Sequence, residues 1–119
     1  MMQLRKWLML VVCVSAMLAV SCSGSAPAAT NPVVQIIAPP YGSSFSENEI
    51  VGVQAVSTDA QGVVRAELYV DGQLAGTKLA PSAQGTRQFE SIFEWQATKL
   101  GAHTLTVRAF NAANGMGEA

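Results

Sequence analysis

The chain of 119 residues has one histidine, two cysteines and only 13% charged side chains. It has no run of basic residues and no aromatics interleaved with bases, which excludes nucleic acid as a partner class. It also lacks a Gly-rich phosphate loop, a pair of acids at catalytic spacing and a nucleophile with a base, so it reads as a non-enzyme without a cofactor. Ser43 and Ser44 lie in the loop-like stretch YGSSFSENE with no base nearby in sequence. No metal is expected, because calcium takes about six to eight oxygen ligands. Asp59 and Asp71 each stand alone in turn-like stretches, explained by an Asx-type hydrogen bond and by a hairpin turn. Long apolar runs are missing too. A membrane-spanning helix needs roughly 20 apolar residues, and the uncharged stretch 7–20 holds 14.

That short run follows Arg5-Lys6 and ends in LAVSC. A positive start followed by a short apolar run fits a signal peptide over 1–21, helical until cleaved. Cys13 would leave with it, so Cys22 would stand alone and no intramolecular disulfide could form. The tetrad Ala19-Val20-Ser21-Cys22 resembles the lipobox of bacterial lipoproteins. The commonest residue three before the cysteine in that motif is Leu; here it is Ala19, with Leu18 one earlier. The resemblance implies lipidation at Cys22, with acyl chains such as palmitate on its sulfur and nitrogen. Each buried methylene would contribute about 0.8 kcal/mol, and two or more chains anchor stably. The expected partner is thus a membrane, reached through the lipid on Cys22, and the expected location is the extracytoplasmic cell envelope. Inner and outer membrane both stay open. The competing reading is an ordinary secretion signal cut elsewhere, leaving a free thiol. Without 1–21 the bases fall from seven to five by loss of Arg5 and Lys6, against eight acids, a mildly acidic remainder.

Residues 22–32 are small, polar and Pro-containing and read as a flexible tether. From residue 33 the texture changes to short Val-, Ile-, Thr- and aromatic-rich runs of period two. Strands are expected at 33–37, 50–58, 63–70, 73–79, 86–95 and 102–111, with 59–62 (DAQG) as a turn. Val51, Val53 and Ala55 share one face; Val64, Ala66, Leu68 and Val70 share another, opposite Arg65, Glu67 and Tyr69. Asp71-Gly72 between alternating runs is a strong hairpin signal, since a type I′ turn needs positive φ at both central residues. Phe89, Ser91, Phe93 and Trp95 form one face, and Leu105, Val107 and Ala109 another. No helix-period segment follows the first run, so the fold class is all-β, an antiparallel β-sandwich over 33–119.

RAELYVDGQLAGT, FEW and LGAHTLTVRAFNAANG together resemble the bacterial Ig-like domains, with an immunoglobulin or fibronectin type III-like topology. The resemblance covers 31–119 and implies fold far more than function. It also implies a last strand after NAANG, where only Met116, Gly117, Glu118 and Ala119 remain. The expected domain therefore lacks its last strand. Three explanations stand: a fragment of a longer protein, a short strand on a marginal domain, or an edge that accepts a partner's strand. An unpaired edge is an aggregation liability, which favours the first.

His103, after the Gly101 turn, is expected to hydrogen-bond back to the backbone, as a tyrosine does at the corner of such sandwiches. Trp95 is expected in the core. Tyr69 and Phe110 have outward parity and form the candidate binding surface; the other reading has them covering neighbouring strands or another domain. The function expected is a non-catalytic, lipid-anchored module that spaces or binds at the bacterial cell surface, with a protein or glycan ligand and no specified oligomeric state. The alternatives are the N-terminal part of a larger lipoprotein with an enzymatic or wall-binding domain downstream, and a carbohydrate-binding sandwich.

Overall fold

The computed structural model describes residues 30–119. The expected signal segment, Cys22 and most of the tether lie outside the described residues. Six strands follow: β1 (Val33–Ala38), β2 (Ile50–Val70), β3 (Gln73–Leu79), β4 (Thr86–Gln96), β5 (Leu105–Asn111) and β6 (Met116–Glu118). All pairings are antiparallel.

β2 organises the sandwich. Its first half pairs with β1 on one side and β4 on the other, from Ile50↔Gln96 to Thr58↔Gln88. Its second half pairs with β3 and β5, from Arg65↔Phe110 to Val70↔Leu105 along β5. One strand thus passes through both layers, β1-β2-β4 and β3-β2-β5-β6. Residues 59–62, expected as a turn, belong to β2 itself; they reverse the direction of the chain and carry it from one layer into the other. The two halves run in opposite directions without pairing with each other, because each already has two other partners. Gly62 supplies the bend with φ 93°, and the Gln61 N–H donates to Asp59 Oδ1 at 2.7 Å.

The bend packs against Gly85 of the β3–β4 loop. A Cβ on Gly85 would sit 2.8 Å from the Gly62 carbonyl carbon and from Val63 O, and Gly85 has φ 83°. Backbone meets backbone there, so no side-chain rotation can relieve the overlap. Gly85→Ala is expected to destabilise the domain by about 2 kcal/mol. Gly52→Ala, in open space on the outer face, should leave the urea midpoint nearly unchanged; equal midpoints for the two variants would contradict this packing.

The core lies between the layers. Val51, Val53, Ala55, Phe89 and Phe93 come from one layer, and Val63, Ala66, Leu68, Val70, Val107 and Ala109 from the other. The period-two faces are as the sequence predicts, with one change. The β2–β5 register skips Val64 between Val63 and Arg65, so Val63 is fully buried and Val64 half-buried. A bulge of this kind shifts the inward face by one residue.

The last strand, expected to be missing, is present over three residues. β6 pairs Arg108↔Glu118, Ala109↔Gly117 and Phe110↔Met116. Val107 and Ala119 exchange both backbone hydrogen bonds at 3.0 Å. Four residues suffice because the turn before them is tightly held. Asn111 N donates to Gly115 O, and Asn111 Oδ1 accepts from Ala113 N and Gly115 N.

The strand directions give the domain a base and a tip. The base carries the bend at 59–62, the 80–85 loop, the 112–115 turn and the entry of the chain at 30–32. The tip carries the 39–49 loop, the Asp71-Gly72 hairpin turn and the 97–104 loop.

Candidate binding surfaces

Three clusters of side chains result from this topology. The first is the outer face of β2 and β5, where the register places Arg65 opposite Phe110 and Glu67 opposite Arg108. Tyr69 and Phe110 are both half-buried. The Arg65 guanidinium carbon lies 3.8 Å from the Phe110 ring centroid, and that of Arg108 lies 4.4 Å from the Tyr69 centroid. Cation–π contacts at exposed sites contribute about 0.5–1 kcal/mol each. Acids tie the arginines down: Arg65 Nε donates to Glu67 Oε1 at 3.0 Å and Arg108 Nε to Glu118 Oε2 at 2.9 Å. The Tyr69 hydroxyl donates to Glu67 Oε2 at 2.8 Å. The Glu118 bond is the main reason Arg108 is held above the usual guanidinium range. Exposed Leu74, Leu79 and Met116 flank the face. It offers guanidinium-capped rings with self-paired charges.

The second cluster is a cleft of about 830 Å³ at the tip, between the 39–49 and 97–104 loops. Tyr41 is fully exposed on its rim, with Phe45 and Leu100 also exposed. A turn closed by Ser43 N donating to Pro40 O at 3.1 Å, with Gly42 at φ 80°, presents the Tyr41 ring. His103 forms part of the wall. Its Nε2 lies 2.7 Å from Lys99 O and its Nδ1 2.6 Å from Asp71 Oδ2. The backbone bond is the one the sequence predicts. The Asp71 bond is not foreseen, because the partners are 32 residues apart and meet only through the β2–β5 pairing. Asp71 also accepts from Thr104 N at 2.8 Å, and its own N–H donates to Thr104 O at 2.9 Å. Half-buried Trp95 meets His103 edge-on, with centroids 5.0 Å apart. The bond to Asp71 is the leading cause that holds His103 above the ordinary imidazole range, and the same bond holds Asp71 below the ordinary carboxylate range.

The third cluster is at the base. Asn111 Nδ2 donates to Thr30 O at 2.8 Å and to Asp59 Oδ2 at 3.0 Å, and Asn111 and Asp59 are buried. Thr30 Oγ1 donates to Asp59 Oδ1 at 3.5 Å. Pro32 is buried, and a Cβ on Gly117 would overlap its carbonyl oxygen. The amide of Asn111 takes up the acceptors here, so the cluster is a structural tie. Among the described residues no three His, Cys, Asp or Glu side chains converge in a way that could hold a metal ion.

Residues 32–107 match the family model described as the bacterial Ig domain. Among solved structures, the chain is similar to fibronectin(III)-like modules of Clostridium thermocellum CbhA. The identity is 22% and the TM-score 0.59, over 71% of this chain and 86% of that one. At that identity the likeness shows the fold alone. No curated protein matches the chain.

Proposed function

This chain belongs to the bacterial Ig domain family, and on that premise we propose that it is a non-catalytic, lipid-anchored extracytoplasmic module that displays its tip and outer faces for binding at the bacterial cell surface. The observation that carries the reading is the polarity of the domain. The chain enters at the base, where Asn111 holds the Thr30 carbonyl and Pro32 is buried. The cleft and its exposed Tyr41, Phe45 and Leu100 lie at the opposite end. With Cys22 anchored, residues 23–29 number seven and reach at most roughly 25 Å. The base is then kept near the bilayer and the tip directed away from it. The face of Tyr69 and Phe110 runs along the side and is the surface offered to a protein ligand.

The test is intact mass and fractionation. The protein from a membrane fraction is expected to lack residues 1–21 and to carry a diacylglyceryl group and an acyl chain on Cys22. Cys22→Ala should move it to the soluble fraction with no acyl mass. A soluble parent protein with a free Cys22 thiol would end the anchored reading.

The course of β6 favours a second reading. It starts at the base and runs toward the tip, and Ala119 reaches the level of Val107. A chain that enters at one end and heads for the other suits a spacer placed in line between an anchor and a further domain, enzymatic or wall-binding. Coding sequence continuing in frame beyond Ala119 would support it.

A further inference from the structure

We infer that His103 is a proton-dependent clasp: as an imidazolium it ties the 97–104 loop to the β2–β3 hairpin and fixes one wall of the tip cleft, and loss of its proton releases that wall. The inference concerns the domain itself and holds whether or not Cys22 carries lipid.

The hydrogen-bond geometry alone assigns the charge. Both ring nitrogens face oxygen acceptors, Asp71 Oδ2 at 2.6 Å and Lys99 O at 2.7 Å. A backbone carbonyl has no proton to give, so Nε2 is the donor in that bond. A carboxylic acid is far stronger than an imidazolium, by about 2.6 pKa units between the ordinary values, so the proton between Nδ1 and Asp71 stays on the ring. Neutral imidazole has a single N–H. Either neutral tautomer would turn a bare lone pair onto an oxygen at under 3 Å. Both contacts therefore exist together only in the doubly protonated ring.

The two partners belong to different elements, which makes the ring a clasp. Asp71 is the first residue of the β2–β3 turn, and its other oxygen is bonded to Thr104 N. That link, with Asp71 N to Thr104 O, involves no proton of His103 and survives its titration. Lys99 lies in the middle of the β4–β5 loop. Among the hydrogen bonds of the described residues, the one from His103 to Lys99 O is the only one that holds residues 98–102. Their other fastenings are the Ala97 bonds to Glu49 O and Asn48 N at one end and the start of β5 at the other. Neutral His103 keeps its single proton toward the Asp71 carboxylate, the stronger acceptor. Its Nε2 lone pair then repels the Lys99 carbonyl, and the loop carrying Lys99 and Leu100 loses its tie.

The charged groups that act on the ring are Asp71 from the hairpin and Lys99 from its own loop; Glu47 of the 39–49 loop lines the same cleft. Asp71 favours the charged ring, while the Lys99 ammonium and partial burial oppose it, with the Asp71 bond largest. The sign follows. A histidine with a raised pKa keeps its contribution below the ordinary value near 6.5 and loses it as pH rises through the folded value. A carboxylate with a lowered pKa keeps its contribution above about 3.9 and loses it as pH falls through the folded value. The clasp is thus closed in mildly acid conditions and opens as pH rises through the folded value, which lies above the ordinary one.

The chain has one histidine, so the imidazole ¹⁵N resonances report this ring alone. A ¹⁵N-labelled full chain would be titrated from about pH 5 to about pH 9, across the imidazole range. Backbone ¹⁵N order parameters for residues 98–102 would be followed in parallel. Both ring nitrogens are expected in the protonated range at the acid end, with a midpoint above the ordinary value. The order parameters of 98–102 should fall through that same midpoint, and tryptic cleavage after Lys99, compared with a reference peptide at each pH, should rise roughly fivefold with it. His103→Gln should remove the step, and Asp71→Asn should bring the midpoint down. The parent protein supplies the decisive readout, so the test stands even if a variant fails to fold. A ring with one bare nitrogen at about pH 6, below the ordinary value, would overturn the proposal, as would order parameters at 98–102 that do not change across the ring's titration.

Discussion

Replacing Asn111 with alanine is expected to lower the unfolding free energy by about 3 kcal/mol, since each orphaned buried polar group costs about 1–3 kcal/mol. The residue is 1% exposed and its amide makes four hydrogen bonds. Truncation strands the Thr30 carbonyl and one Asp59 oxygen on one side and the Ala113 and Gly115 amides on the other. Asp59 is itself buried, so its carboxylate is poorly placed to recover water. The loss is a large share of the roughly 5–15 kcal/mol that stabilises a typical domain. A urea midpoint shift at unchanged m-value would measure it. Asn111→Asp is the sharper probe. It keeps the shape and the two accepted bonds but puts a second carboxylate beside Asp59 Oδ2 in place of a donor at 3.0 Å. Like charges at that range cannot both ionise easily. Asn111→Asp should therefore be destabilised at neutral pH and recover part of the loss on mild acidification, as one of the pair binds a proton. A loss under about 1 kcal/mol for Asn111→Ala, the scale of one ordinary hydrogen bond, would mean that water replaces the amide and the base is no structural tie.

Leu68→Ala should cost a similar amount, about 3 kcal/mol within the usual 2–5 for a buried leucine. Leu68 is 1% exposed between the layers, opposite Val107 in the β2–β5 register. Surrounding β-branched residues have restricted rotamers, so the cavity collapses only in part. Ile92→Ala is the counterpart, on an equally regular stretch of β4 but with outward parity and 59% exposed. It should change stability by no more than about 0.5 kcal/mol. Thermal or urea midpoints of the pair test the two-layer arrangement directly. Comparable losses at both sites would show that the outer face of β4 is covered in solution.

These variants also separate fold from display. Asn111 and Leu68 act on the frame that carries the tip and the side face. Cys22→Ala leaves the frame untouched and acts on location. The titration of His103 leaves both untouched and acts on one wall of the cleft.

The sequence by itself determined the strands before β6, their inward faces outside the bulge at Val63 and Val64, and the family. Alternation is a local property: the chain pleats with a period of two, so Val51, Val53 and Ala55, or Phe89, Ser91 and Phe93, fall on one side whatever they later pair with. The hairpin at Asp71-Gly72 is just as local, because two adjacent residues must adopt positive φ, as they do at 52° and 81°. Tertiary structure decided what depends on which strand lies beside which. Whether the strands on either side of 59–62 pair as a hairpin or part into separate layers was not readable from DAQG, since both outcomes use the same glycine and the same Asx bond. Partner choice settles it, when β4 and β5 claim the two halves of β2. The pairing of Arg65 with Phe110 needs that register as well. The tie of Asn111 to Asp59 and Thr30 spans 52 and 81 residues. The clasp of His103 on Asp71 joins two turns that only the antiparallel order brings to one end. Such contacts are non-local, and no short-range pattern encodes them. They form because burying the alternating faces against each other fixes the register, and the register then places the polar side chains.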